Sequence, residues 1–202
     1  IDNLFSEEEC KSYIELAESQ GFNDAPVTVG ANTFKMMTDY RNNKRVILDD
    51  PNLAQQIYTK VKDFVPEFAS ELNVNSRKIN TEFFQKCGVN ERFRFYRYTS
   101  DEYFKAHFDG NFARNNVECT LENGKTYLCE ESSFITMLIY LNTLEKGGET
   151  NFVNPGGEER ILHSVNPKTG RVLLFVHRLL HEAEPVGEPW QFKYVLRTDI
   201  MY

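Results

Sequence analysis

His107 and Asp109 stand two positions apart in the aromatic run "YFKAHFDG", residues 103–110, of a chain with only four histidines. If this run is a strand, residues i and i+2 project from one face, so imidazole and carboxylate share one space. That pairing is half of a metal site. The other histidines are His163, His177 and His181. His177 and His181 lie four apart in "LLFVHRLLHEAEPV", a spacing that on a helix would put both on one face, as in zinc proteases. The preceding "GRVLLFV" is apolar and rich in β-formers, and a proline-bearing turn follows. The pattern therefore predicts His177 at a strand end and His181 at the start of the next segment. His163 and His177 have no partner motif and read as structural. Two histidines and one carboxylate on one face, with open positions opposite, suit a non-haem Fe(II) oxygenase. The same ligand types also hold catalytic zinc, so they leave the metal open.

Iron chemistry of this kind needs a reductant at the open positions. 2-Oxoglutarate would chelate through its keto-acid end and require a cation for its distal carboxylate. The run "QFKYVLRTDIMY", read as a strand, places Lys193, Val195, Arg197 and Asp199 on one face. A mid-strand lysine or arginine is seldom buried unless paired, and a bound dicarboxylate would be such a partner. Tyr140, inside the apolar run "SFITMLIYLN", needs a hydrogen-bond partner if buried and is a second candidate contact.

The elements that must position these residues are partly legible. Ser6 and Glu9 form a capping-box pattern, followed by Cys10, Tyr13, Ile14 and Ala17 at helical spacing and by Gly21 as a stop. A second helix is expected from Asp50 as cap and Pro51 in the first turn, with Leu53, Ile57, Val61 and Phe64 as its buried stripe. Pro66 ends it. The stretch between the helices, about residues 26–48, reads as an extended strand followed by a loop. From residue 79 onward short β-like runs alternate with Gly- and Pro-bearing turns. Among them, "ERFRFYRYT" alternates as a half-buried strand would. Seven or eight such strands after a helical preface predict a double-sheet jelly roll or cupin-like barrel. Residues 110–132 are long, polar and without period, which predicts a functional or mobile loop.

The chain of 202 residues suffices for a single domain, 1–202, divided into a preface over 1–78 and a core over 79–202. No apolar run reaches the length of a bilayer span, which argues against a membrane partner. A net charge of −7 argues against nucleic acid as a partner. The cysteines Cys10, Cys87, Cys119 and Cys129 contain no CxxC pair. Cys119 and Cys129 could close one loop, but the absence of glycosylation sequons and of a signal peptide favours free thiols and a cytoplasmic location.

Taken together, several blocks resemble the prolyl 4-hydroxylase branch of the Fe(II)/2-oxoglutarate dioxygenases. They are His107-Phe108-Asp109, His181 followed by "EAEPV", the basic Lys193, and "SFITMLIYLN" followed by "EKGGETNF". "FSEEECKSYIELAES" and "RNNKRVILDDPNLAQQI" are also similar to this branch, so the resemblance covers nearly the whole chain. It implies a mainly β, double-stranded β-helix core of the jelly-roll type, flanked by N-terminal helices. It implies Fe(II) on His107, Asp109 and His181, 2-oxoglutarate and O2 as cosubstrates, and ascorbate as a candidate accessory reductant. It further implies Lys193 and Tyr140 on the distal carboxylate, with Tyr98 lining the cosubstrate pocket. One departure is visible: Lys193 follows His181 by two residues more than in collagen-type enzymes, which keeps Arg197 as a rival anchor. The implied reaction is hydroxylation of an unactivated C–H bond, on a peptidyl-proline or else on a free amino acid or small natural product. Arg41, Asn43, Arg45 and Arg114 are candidate substrate contacts. A non-oxidising metal-binding cupin and a zinc hydrolase are the alternatives from other classes.

Overall fold

Ser6 opens the first helix, α1 (Glu7–Gln20), in the reciprocal manner its spacing predicts. Its hydroxyl accepts from the Glu9 N–H at 3.1 Å, and its own N–H donates to the Glu9 carboxylate at 2.8 Å. Asp50 caps α2 (Pro51–Val61) by accepting from the N–H groups of Asn52 and Leu53, both at 3.0 Å. Leu53, Ile57 and Val61 are buried as expected, whereas Phe64 is 52% exposed. The chain tightens into a 3₁₀ turn over Lys62–Phe64. At three residues per turn Phe64 swings off the stripe, and Val65 is buried instead.

The structure is a computed structural model that describes residues 1–30, 33–72, 84–120, 124–157 and 159–202. Between the helices lie β1 (Asn23–Asp24), a hairpin of β2 (Val27–Gly30) and β3 (Thr33–Lys35), and β4 (Lys44–Asp49). The expectation of one strand and then a loop is thus corrected: the turn comes before β4, not after a single strand. The expected boundary between residues 78 and 79 lies outside the described residues. Then follow β5 (Gly88–Val89), β6 (Arg92–Tyr98), β7 (Phe104–His107), β8 (Ala113–Thr120) and β9 (Thr126–Tyr140). The last are β10 (Thr150–Val153), β11 (Ile161–Val165), β12 (Val172–Val176), β13 (His181–Ala183) and β14 (Lys193–Met201).

Among the described residues, the larger sheet runs β1-β4-β6-β14-β9-β12, with β5 beside β14 and β8 beside β9. The smaller sheet runs β11-β10-β13-β7. These curled antiparallel sheets form the double-stranded β-helix that the sequence predicts. One face of the larger sheet, with Phe93, Phe95, Ile139 and Leu196, packs on Cys10, Ala17, Leu53, Ile57 and Val61 of the two helices. The other face looks into the barrel, where Leu138, Tyr140, Phe175 and Val195 meet Phe152 and Val165 of the smaller sheet. Strand β6 is therefore covered on both faces, not half-buried. Its polar row of Arg94, Tyr96 and Tyr98 faces the interior because that interior holds a polar site. Strand β14 sits at the centre of the larger sheet, hydrogen-bonded to β6 on one side and β9 on the other.

Where the sequence predicts a loop over 110–132, the described residues 113–120 and 126–132 form a two-stranded arm. Strand β8 pairs with the outer half of β9, from Ala113 opposite Ser132 to Thr120 opposite Thr126, with a bulge between Arg114 and Val117. A disulfide joins Cys119 to Cys129 across the arm, so the expectation of free thiols is corrected for this pair; Cys10 and Cys87 are free. No helix among the described residues is long and apolar enough to cross a membrane.

Gly170 ties the N-terminal segment to the barrel. Its carbonyl accepts from the N–H groups of Leu4 and Phe5, and its N–H donates to the Tyr140 carbonyl at 2.9 Å. Its φ is +74°, and an added Cβ would collide with the Phe5 carbonyl. Gly170→Ala is expected to cost upwards of about 2 kcal/mol, read as a lower urea midpoint with an unchanged slope.

Candidate active site

Two short strands of the smaller sheet bring the histidines together. β7 and β13 pair antiparallel with His107 directly opposite His181, and the two rings lie 4.3 Å apart between centroids. Each Nδ1 lies beside a backbone carbonyl, Lys105 O at 2.8 Å and Leu179 O at 2.9 Å. An Nδ1–H donor on each ring leaves the Nε2 lone pair free to bind a metal. His107 Nε2 is 3.9 Å from one Asp109 oxygen and His181 Nε2 is 3.6 Å from the other. The ligand atoms of the three residues all lie within 4.8 Å of one another. Phe104 stacks on His107 at 3.5 Å, and Phe175 meets the His181 ring edge-on at 4.7 Å.

Asp109 reaches this point by a route that its strand spacing does not describe. β7 ends at His107, and Asp109 lies beyond it, its N–H donating to the His177 carbonyl at 3.1 Å. One carboxylate oxygen accepts from the Thr136 hydroxyl at 2.6 Å, and the other lies 3.1 Å from Arg197 Nη2. With the Thr136 proton given to Asp109, the neighbouring hydrogen bonds can run in one direction. His177 Nδ1–H donates to Thr136 Oγ1 at 2.9 Å, and the Ser133 hydroxyl donates to His177 Nε2 at 2.9 Å. Ser133 in turn accepts from the Phe112 N–H at 2.8 Å. His177 is thus structural, as the sequence suggests, but it acts on the metal site through Thr136.

The electrostatics favour the protonation states that a metal requires. Burial, with His181 alongside, pushes the His107 imidazole down to about 3. Burial also lowers His181. Burial alone would raise Asp109, but Arg197, His181 and His107 hold it well below the usual carboxylate range. Two neutral imidazoles and one carboxylate are a donor set that fits a divalent cation such as Fe(II). Thr136→Val should leave the fold intact and weaken metal binding by about 10- to 100-fold, as loss of a hydrogen bond to a ligating carboxylate commonly does. Metal titration of the variant beside the wild type checks this.

At the other end of the pocket, Lys193 is 1% exposed, with its ammonium 5.1 Å from the Tyr98 ring and 5.7 Å from the Tyr140 ring. It forms no ion pair among the described residues, and burial pushes it down to about 7. The Tyr140 hydroxyl donates to Thr150 Oγ1 at 2.7 Å, which places the GGET threonine in the pocket wall. Arg197 occupies the same interior row of β14 but lies at the metal end, shared between Asp109 at 3.1 Å and Asp199 at 3.2 Å.

Of the candidate substrate contacts, Arg41 is 4% exposed, its guanidinium 4.6 Å from the Tyr96 ring centroid and 4.4 Å from that of Phe104. Its Nε donates to Asn43 Oδ1 at 2.7 Å, and Arg45 pairs in register with Tyr96. Arg114 is not brought to the pocket; on β8 it is paired with Glu91 at 2.9 Å and Glu131 at 3.0 Å. His163 is exposed on β11. Sequence reasoning missed Thr136, Tyr96 and Phe104. A signal existed for Thr136, the one hydroxyl between Phe134 and Leu138 in a run otherwise apolar there.

The family described as the 2OG-Fe(II) oxygenase superfamily has a sequence model that matches residues 93–198. No curated protein matches the chain significantly. Among solved structures, the viral collagen prolyl hydroxylase of Paramecium bursaria Chlorella virus-1, in complex with 2-oxoglutarate, superposes with a TM-score of 0.55. That match is 19% identical and covers 100% of this chain and 93% of the other. A prolyl-4-hydroxylase from Pseudomonas putida matches with a TM-score of 0.58 at 16% identity, over 98% of this chain and 89% of the other. A prolyl hydroxylase from Trichoplax adhaerens, bound to a hypoxia inducible factor peptide fragment, gives 0.62 at 16% identity, over 99% and 81%. At such identities the likeness is one of fold.

Proposed function

Since the chain belongs to the 2OG-Fe(II) oxygenase superfamily, we propose that His107, Asp109 and His181 hold its Fe(II), and that Lys193, with Tyr140 and Tyr98, receives the distal carboxylate of 2-oxoglutarate. Fe(II), 2-oxoglutarate and O2 supply the chemistry, in which decarboxylation to succinate and CO2 is coupled to hydroxylation of a C–H bond. The chain contributes position and electrostatics. His107 and His181 present neutral Nε2 atoms side by side, and Thr136 and Arg197 fix the Asp109 carboxylate against them. Phe104 and Phe175 shield the imidazoles from water. The observation that carries the cosubstrate reading is Lys193: a buried ammonium with no ion pair among the described residues is costly unless a ligand provides one. Arg197 is a poorer anchor, since two carboxylates already engage it.

The substrate we infer is a prolyl residue in a peptide or protein. The fold shared with three prolyl hydroxylases, one of them in complex with a peptide, supports this reading. The test is an anaerobic titration with Fe(II) and then 2-oxoglutarate, followed by coupled succinate production on proline-containing peptides. A metal-to-ligand charge-transfer band is expected on adding 2-oxoglutarate. Bound metal without that band would overturn the assignment and favour a zinc hydrolase or a non-oxidising cupin.

A further inference from the structure

The barrel interior holds a second basic group, at the opposite end of the β14 row from Lys193. Along β14 the interior residues Lys193, Val195 and Arg197 pair with Tyr98, Tyr96 and Arg94 of β6. Arg45 of β4 pairs with Tyr96 from the other side. Arg41, bridged to Phe104, lays its guanidinium between the Phe104 and Tyr96 rings. Four arginines, Arg41, Arg45, Arg94 and Arg197, thus act on one buried tyrosine. Lys193 and Arg197 are four residues apart, roughly 13 Å along the strand, so this group and the lysine do not share a ligand end.

The carboxylates nearby do not balance these cations. Asp109 and Asp199 both engage Arg197, and Asp199 lies 3.7 Å from Arg94. Arg41 and Arg45 form no ion pair among the described residues. Arg41 Nη2, Arg94 Nη1 and Arg197 Nε are buried without a hydrogen-bond acceptor among the described residues. Four guanidiniums face two carboxylates, and Fe(II) with dianionic 2-oxoglutarate adds no net charge. With Lys193 protonated, as its place opposite 2-oxoglutarate requires, the loaded site therefore keeps an excess of three positive charges, two of them in the arginine group, an arrangement that is costly without an anion. Burial would raise the Tyr96 hydroxyl, yet the surrounding guanidiniums draw it down to about 8, which reports how strongly this place favours negative charge. A neutral prolyl ring alone makes no use of that field.

We propose that the substrate carries a carboxylate, held by Arg41 and Arg45 beside Tyr96, next to the metal and away from the 2-oxoglutarate anchor. The proposal rests on the oxygenase reading above and narrows its substrate class. The carboxylate belongs either to a free amino acid or small acid, or to an acidic residue of a peptide. A guanidinium suits either source, since its fork matches a carboxylate edge to edge.

The test uses the enzyme loaded with Mn(II) and saturating 2-oxoglutarate under nitrogen, with ¹³C-acetate as the probe. Saturable paramagnetic relaxation of the acetate resonance is expected, not reproduced by chloride at equal ionic strength. Arg45→Gln and Arg41→Gln should each weaken acetate binding by about 10- to 100-fold, the loss typical of a charge-assisted hydrogen bond. Arg92→Gln, on the exposed edge with Asp49, should not. Arg45 is only half-buried, so its variant is the safer one should Arg41→Gln fold poorly. Displacement of acetate by free L-proline assigns a small-molecule substrate, and displacement by an end-blocked peptide containing Asp or Glu assigns a peptide; both uphold the proposal. No saturable effect, or equal binding in a folded Arg45→Gln variant, overturns it. The Fe(II)–2-oxoglutarate band is recorded in parallel: its presence without acetate binding refutes this inference alone, whereas its absence refutes the oxygenase reading.

Discussion

Asp109→Ala is expected to eliminate both the Fe(II)–2-oxoglutarate band and turnover, with a loss of more than about a thousandfold, since several kcal/mol of metal binding disappear with the carboxylate. The variant should also be less stable. Asp109 is the nearest carboxylate to Arg197, at 3.1 Å, and removing it leaves Asp199 to balance both Arg197 and Arg94. Breaking a buried pair from one side usually costs 3–5 kcal/mol; with Asp199 still present, about 2 kcal/mol is expected. Asp109→Asn separates the two effects. It keeps the shape and an acceptor for Thr136 but removes the charge, so it should lose the metal while retaining packing. Thermal unfolding and anaerobic absorbance on the same samples provide the check, and an Asp109→Ala protein that kept the band would remove Asp109 from the ligand set.

The second large effect concerns Lys193→Met. Affinity for 2-oxoglutarate should fall by more than about a hundredfold, the cost of leaving a buried carboxylate unpaired. The protein without cosubstrate should instead become more stable, because burial of the Lys193 ammonium is unfavourable and lowers it from 10.5 to about 7. The sign follows from linkage. The folded protein holds this proton less tightly than the unfolded chain, so the penalty is complete below pH 7 and is relieved as pH rises from 7 toward 10.5. The gain from Lys193→Met is therefore largest near pH 6, on the order of a few kcal/mol, and small at pH 10. For the wild type, 2-oxoglutarate affinity should drop about tenfold between pH 6 and pH 8, as the fraction of Lys193 already protonated falls. Calorimetry in buffers of different ionisation enthalpy would detect the accompanying proton uptake. Flat affinity across that range together with undiminished 2-oxoglutarate binding by Lys193→Met would remove Lys193 as the anchor.

How far these features can be read from sequence depends on which face a residue turns to. The candidate ligand triad is legible because His107 and Asp109 are near neighbours and His181 opens a short strand with its own motif. The proposed preference for Lys193 over Arg197 is not, because alternation along β14 puts both in the barrel without saying which end lies by the histidines. The arm made by β8 and the outer half of β9 escapes notice for a related reason. A strand announces itself through an apolar alternation when one face is buried, and the outer half of β9 is largely exposed on both faces. Strand β6 misleads in the opposite sense. Arg94 and Arg97, on opposite faces, each suggest solvent, yet Arg94 faces the barrel interior near Asp199 and Arg97 is held against Glu18 of α1 at 3.0 Å. Interior charge, which marks the functional end of the barrel, looks from sequence like surface.

The central place of β14 also governs the order in which the protein can come into being. As the chain emerges from the ribosome, β6 and β9 are made well before the strand that must lie between them. Until it arrives each keeps an unpaired edge, open to pairing with other chains. Lys193 and Arg197 arrive on that same strand, so a nascent chain can bring His107, Asp109 and His181 near one another before it has either cation. Iron captured then would lack the proposed cosubstrate seat and the guanidinium beside Asp109. Closure of the barrel and the seating of both cations thus depend on one and the same late strand.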